Sequence, residues 1–140
     1  MACLILSRMK APRLLIADDD TDLREQLASV LSEDGYDVDE AADGNELLEA
    51  LASASRPANE QPTYAAIVMD LMMPGFSGVD VLTALHTPPP RVPVLVMTGC
   101  EDEHVVQTAS SLGAVAVFRK PFDLDELRAA LLSVMHPQQA

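Results

Sequence analysis

The stretch LLIADDDTDLREQLASVLSEDG, residues 14–35, decides how the rest of the chain is read. It opens on an unbroken apolar run at 14–17, too short for a buried helix and of the length expected for a strand covered on both faces. Three carboxylates follow directly, Asp18, Asp19 and Asp20. Beyond them Leu23, Leu27, Val30 and Leu31 recur at helical spacing, and Gly35 is the residue type that ends a helix in a left-handed turn. Asp20, ahead of Thr21 and Asp22, reads as the cap of that helix rather than as a metal ligand.

The outline of strand, polar loop and helix recurs along the chain. Apolar runs stand at 65–69, 94–97 and 115–118, with a weaker alternating segment at Tyr36 and Val38. Helical stripes fall between or after them. Leu47, Leu48 and Leu51 make one, begun by Asp43 or Asn45; Val81, Leu82 and Leu85 make another, ahead of prolines 88–90. Val105, Val106, Ala109 and Leu112 give a third, closed by Gly113. Leu124, Leu127, Leu131 and Met135 give the last, with Asp123 and Glu126 at capping-box spacing. Such alternation with short connections predicts an α/β fold: a doubly wound, five-stranded parallel sheet with right-handed crossovers and five flanking helices.

Composition narrows the function classes. A length of 140 residues suits one domain, and 49% hydrophobic residues suffice for a core. Lys and Arg number 9 against 22 Asp and Glu, a formal net charge of −13, which argues against direct binding to nucleic acid or to an anionic membrane surface. No apolar run approaches the roughly 20 residues that span a bilayer. Cys3 and Cys100 form neither a disulfide framework nor a metal spacing, so a cytoplasmic setting is expected. Residues 1–12 read as a flexible leader without signal-peptide features, with Met9 an alternative start; residues 13–135 read as the domain and 136–140 as a tail. The segment 53–63 is long for a loop in such a fold and is expected to be functional or mobile.

In doubly wound sheets the chemistry sits at the carboxyl ends of the strands. The run at 14–17 ends on Asp18, Asp19 and Asp20, the third strand on Asp70, the fourth on Thr98, and the fifth leads to Lys120-Pro121. Neighbouring carboxylates repel unless a cation joins them, and a hard divalent ion with oxygen ligands, Mg²⁺ above all, meets that need. Lys120 and Thr98 would then serve an incoming anion. A phosphoryl group fits, since its transfer depends on positioning and charge neutralisation.

The motifs LLIADDD (14–20), VMDLMMPG (68–75), VMTG (96–99) and FRKPF (118–122), in this order at these strand ends, resemble the CheY-like receiver domain of two-component response regulators. The resemblance covers about residues 13–135 and implies the flavodoxin-like strand order 2-1-3-4-5. It implies that Asp70 accepts a phosphoryl group from a kinase phosphohistidine. Asp19 would ligate Mg²⁺ directly and Asp18 through a water, with Asp70 and the Met72 backbone carbonyl completing the protein ligands. Thr98 would be the switch hydroxyl, Lys120 the partner of the phosphoryl group, and Gly99 the small residue that leaves the group room to enter. The implied partners are a histidine kinase or phosphotransfer protein and a downstream protein contacting the 103–135 face. The oligomeric state stays open, as does whether the chain stands alone or belongs to a larger protein.

Two departures from the family pattern stand out. Val117 holds the place, three residues before Lys120, that is usually aromatic, and period-two geometry puts Phe118 on the opposite face. The usual coupling between hydroxyl and ring is therefore not expected. Met72 and Cys100 occupy positions that tune water attack and orient water poorly, which predicts slow autodephosphorylation. His86, His104 and His136 read as plain surface residues. A calcium-loop reading of Asp18, Asp20 and Asp22 fails, because Leu23 and Ser29 stand where Gly and Glu are needed. Two alternatives remain: a pseudo-receiver indifferent to phosphate, and a haloacid dehalogenase-like phosphatase with Asp18 as nucleophile and Asp20 as acid/base.

Overall fold

The computed structural model describes residues 11–54, 64–74, 76–85, 92–99 and 101–135. The expectations for the leader, most of the 53–63 loop, His86, Cys100, His136 and the tail lie outside these residues. Each uninterrupted apolar run becomes a strand and each 3.6-period stripe a helix. In chain order they are β1 (Arg13–Ala17), α1 (Thr21–Glu33), β2 (Asp37–Ala41), α2 (Gly44–Ala54) and β3 (Ala66–Asp70). A two-strand ribbon, β4 (Met72–Met73) and β5 (Phe76–Ser77), precedes α3 (Gly78–Leu85). Then come β6 (Val94–Thr98), α4 (Glu103–Ser111), β7 (Ala116–Arg119) and α5 (Leu124–Met135).

The main sheet is parallel, in the order β2-β1-β3-β6-β7. Counted without the ribbon this is the expected order 2-1-3-4-5. Alternate side chains of the strands go to opposite faces, which splits the core in two. Leu15, Ala17, Ile67, Met69, Val94 and Val96 pack with Leu47 of α2, Val81 and Leu82 of α3 and Ala109 of α4. Leu14, Ile16, Ala66, Val68, Leu95 and Met97 pack with Leu27 and Leu31 of α1 and Leu127 and Leu131 of α5. Burial of one such Leu or Ile side chain is worth roughly 1.5–3 kcal/mol, so the two layers hold the sheet from both sides.

The helix ends follow the local chemistry. Asp20 Oδ1 accepts the Leu23 N–H at 3.2 Å, as expected for the cap of α1. Asp43, rather than Asn45, starts α2: its Oδ1 accepts the Glu46 N–H at 2.8 Å, and Glu46 Oε1 accepts the Ala42 N–H at 2.8 Å. At α5 the capping box is incomplete, since Asp123 Oδ1 accepts from the Asp125 N–H at 2.8 Å while the Glu126 N–H bonds the Asp123 carbonyl. Gly35 (φ +103°) and Gly113 (φ +99°) make the left-handed turns that close α1 and α4. β7 begins at Ala116, one residue later than its apolar run suggests, and leaves Val115 53% exposed. No helix among the described residues is long and apolar enough to cross a membrane.

Candidate functional site

β1 and β3 are central neighbours, and the chain runs outward from them in opposite lateral directions. Their carboxyl ends therefore open onto the crevice where strand order reverses. Asp18 leaves β1 there, wholly buried, and Asp70 ends β3 only 4% exposed. Asp18, Asp19 and Asp70 each bring a carboxylate oxygen within 4.8 Å of the others. Lys120, just beyond β7, reaches across to both buried acids: its Nζ donates to Asp70 Oδ2 at 2.6 Å and to Asp18 Oδ2 at 2.8 Å. The Lys120-Pro121 peptide is cis.

The remaining oxygens are also held. Asp70 Oδ1 accepts the Met72 N–H at 2.8 Å, and Asp18 Oδ1 accepts the Asp20 N–H at 2.9 Å. Burial pushes the Asp70 carboxyl above its ordinary range, and the neighbouring Asp18 adds to that; Lys120 and the Met72 N–H oppose it without reversing it. For Lys120, burial works against the ammonium, but hydrogen bonds and charge from Asp18 and Asp70 outweigh it and raise its pKa. One ammonium thus bonds two of the three clustered carboxylates. The donor set is all oxygen and carries surplus negative charge, which fits a hard divalent cation.

Thr98 is fully buried at the end of β6, one residue past Met97, which stands opposite Asp70 in the sheet. Its carbonyl accepts the Lys120 N–H at 2.8 Å, tying the ends of β6 and β7 together. Gly99 is exposed, and a Cβ added there would meet nothing within 4 Å. Val117 packs into the core layer of α2, α3 and α4, whereas Phe118 lies in the other layer with its ring centroid 5.8 Å from that of Phe122. The two residues face opposite ways, as strand geometry requires. His104 is exposed.

Three contributors were not singled out from the sequence. Arg24 donates from Nη1 to the Asp18 carbonyl at 2.9 Å and from Nε to Glu40 Oε1 at 3.0 Å. Its signal was available, for it is the one cation in residues 14–35. Gly78 seats α3 against the backbone of Leu71, so closely that a Cβ would lie 2.6 Å from the Leu71 Cα. Beside the site an open cleft of about 460 Å³ is lined by Asp20, Leu23, Gln26, Lys120, Phe122 and Leu124, among others.

A parallel sheet carrying an acid cluster and a lysine at its switch point defines a class, and comparison with known proteins agrees. The family model for the response regulator receiver domain matches residues 14–132, and the chain belongs to that family, the signalling-switch module of two-component systems. Sporulation initiation phosphotransferase F of Bacillus subtilis (strain 168) is 30% identical over 123 residues, covering 88% of this chain and 93% of that protein. Response regulator MprA of Mycolicibacterium vanbaalenii is 36% identical over 123 residues; the match covers 88% of this chain but only 50% of MprA. Among solved structures, the response regulator TrrA of Thermotoga maritima in complex with Mg²⁺–BeF superposes with a TM-score of 0.72 at 28% identity. That match covers 90% of this chain and 99% of TrrA.

Proposed function

We propose that the chain is a phospho-accepting receiver in which Asp70 takes a phosphoryl group from the phosphohistidine of a histidine kinase or phosphotransfer protein. The observation that carries this reading is Asp70 itself, buried at the switch point with one oxygen on Lys120 and two further carboxylates beside it. A carboxylate oxygen of Asp70 attacks phosphorus, the O–P bond forms, and the N–P bond breaks with its electron pair going to the imidazole nitrogen. Lys120 keeps its charge through neutral pH and neutralises part of the anion that arrives. The carboxylates of Asp18, Asp19 and Asp70 and the Met72 carbonyl would hold Mg²⁺, which supplies charge neutralisation for the phosphoryl oxygens. The Mg²⁺–BeF complex of TrrA supports this assignment by likeness.

Thr98 offers the hydroxyl that engages the phosphoryl group, and that contact biases a two-state equilibrium. Val117 has no ring to follow it, so the change passes to the α4–β7–α5 face by another route. That face would serve as the contact for a downstream protein, a reading that the exposed Val115 and Leu132 support. Met72, 61% exposed, orients no water, and slow autodephosphorylation follows. The phosphatase reading needs Asp20 as a free acid/base, but its carboxylate caps α1. The chain acts in the cytoplasm, where a histidine kinase presents its phosphohistidine. Intact mass after incubation with Mg²⁺ and acetyl phosphate tests the chemistry. One phosphoryl adduct per chain is expected, dependent on Mg²⁺ and absent from Asp70→Ala. Continuous phosphate release that survives Asp70→Ala would contradict it.

A further inference from the structure

Arg24 projects from the first turn of α1 back over the loop that carries the acid cluster, with only 13% of its side chain exposed. Its Nη1 holds the Asp18 carbonyl at 2.9 Å while its Nε is anchored on Glu40 Oε1 at 3.0 Å. The Asp18 N–H donates to the Ala41 carbonyl at 3.1 Å. The backbone of Asp18 is therefore fastened to the end of β2 twice, directly through Ala41 and indirectly through Arg24 and Glu40. With the backbone fixed, the Asp18 carboxylate can divide its oxygens between the Asp20 N–H and Lys120.

We propose that Arg24 is a positioning residue: a clamp that sets the 18–20 loop so that Asp18, Asp19 and Asp70 can take one divalent cation together. The inference rests on the reading of those three acids as the metal site. It requires a planar fork, because the two acceptors are met by different nitrogens of one guanidinium, and a lysine ammonium on a flexible stem does not reproduce that pairing.

Electrostatics and geometry make opposite demands here, which gives the test its sign. A guanidinium beside a cation site repels the cation, so if charge alone mattered its removal would tighten binding. If Arg24 positions the loop, its removal weakens binding. Isothermal titration of the full chain with Mg²⁺ is the measurement, on the unaltered protein and on Arg24→Lys and Arg24→Gln. The clamp predicts that both variants bind Mg²⁺ about 10-fold more weakly, the scale typical of residues that orient metal ligands. Unchanged affinity in Arg24→Lys, or tighter binding in Arg24→Gln, would overturn the clamp and leave the metal site standing. Absence of Mg²⁺ binding by the unaltered chain would overturn the site reading and the clamp with it. Glu40→Ala, which removes the acceptor for Arg24 Nε, provides a second variant should the Arg24 substitutions fail to fold. Amide hydrogen exchange at Asp20, whose N–H bonds Asp18, is expected to quicken in it several-fold, and an unchanged rate would count against the clamp.

Discussion

Asp70 is held where burial opposes its own charge. Its carboxyl has a raised pKa in the folded chain, so the folded state binds the proton more tightly than the unfolded one. The stability tied to that proton is fully present below the ordinary carboxylate range and is lost as pH rises through the folded value. At neutral pH without Mg²⁺ the ionised Asp70 therefore costs stability. Asp70→Asn keeps an acceptor for the Met72 N–H and leaves Lys120 paired with Asp18. It is expected to stabilise the chain by about 1 kcal/mol in denaturant titrations at neutral pH, with the gain shrinking in acid. A destabilised Asp70→Asn would contradict this account. Asp18, Asp70, Thr98 and Lys120 were legible in the sequence because each stands at or just past a short apolar run of strand length. Arg24 could be picked out as the one cation in residues 14–35, but its bond to the Asp18 backbone carbonyl could not, since no residue pattern encodes such a contact.

The element that fixes Asp70 most directly is the short excursion between β3 and α3. Leu71 donates its N–H to the Met97 carbonyl and accepts the Gly78 N–H, both at 3.2 Å, and Met72 and Ser77 pair across the ribbon. A Cβ on Gly78 would also come within 2.7 Å of the Leu71 carbonyl oxygen, so the absence of a side chain is what lets α3 begin there. Gly78→Ala is expected to cost about 1–3 kcal/mol, the usual penalty for overpacking against backbone. It should also hasten hydrogen exchange of the Met72 amide that bonds Asp70. Unaltered stability and exchange would show that the ribbon tolerates the added methyl. β1, β3 and β6 were legible as elements because strands covered on both faces need unbroken apolar runs. The start of β7 was misplaced by one residue because Val115 is apolar yet stands outside the edge strand. The ribbon was invisible, for strands of two residues have no period.

Across the whole molecule, charge and topology converge on the same edge. The order β2-β1-β3-β6-β7 makes Asp18 and Asp70 neighbours although they are far apart in sequence, and β7 delivers Lys120 to both. The other described cations are also committed: Arg13 pairs with Asp37 and Asp39, Arg24 with Glu40, Arg119 with Glu103, and Arg128 with Asp34 and Asp125. Arg128 grips Asp34 with both ends of its fork, at 2.7 Å each, tying α5 to the end of α1 and holding the Asp34 carboxyl below its ordinary range. The central claim is that this architecture presents one carboxylate, Asp70, for phosphorylation. Borohydride reduction of the chain after reaction with a phosphohistidine donor, followed by peptide mass analysis, tests it most directly, because reduction converts an aspartyl phosphate to homoserine. The account predicts homoserine at position 70 and nowhere else. Homoserine at position 18, or at neither position after confirmed phosphoryl transfer, would contradict it.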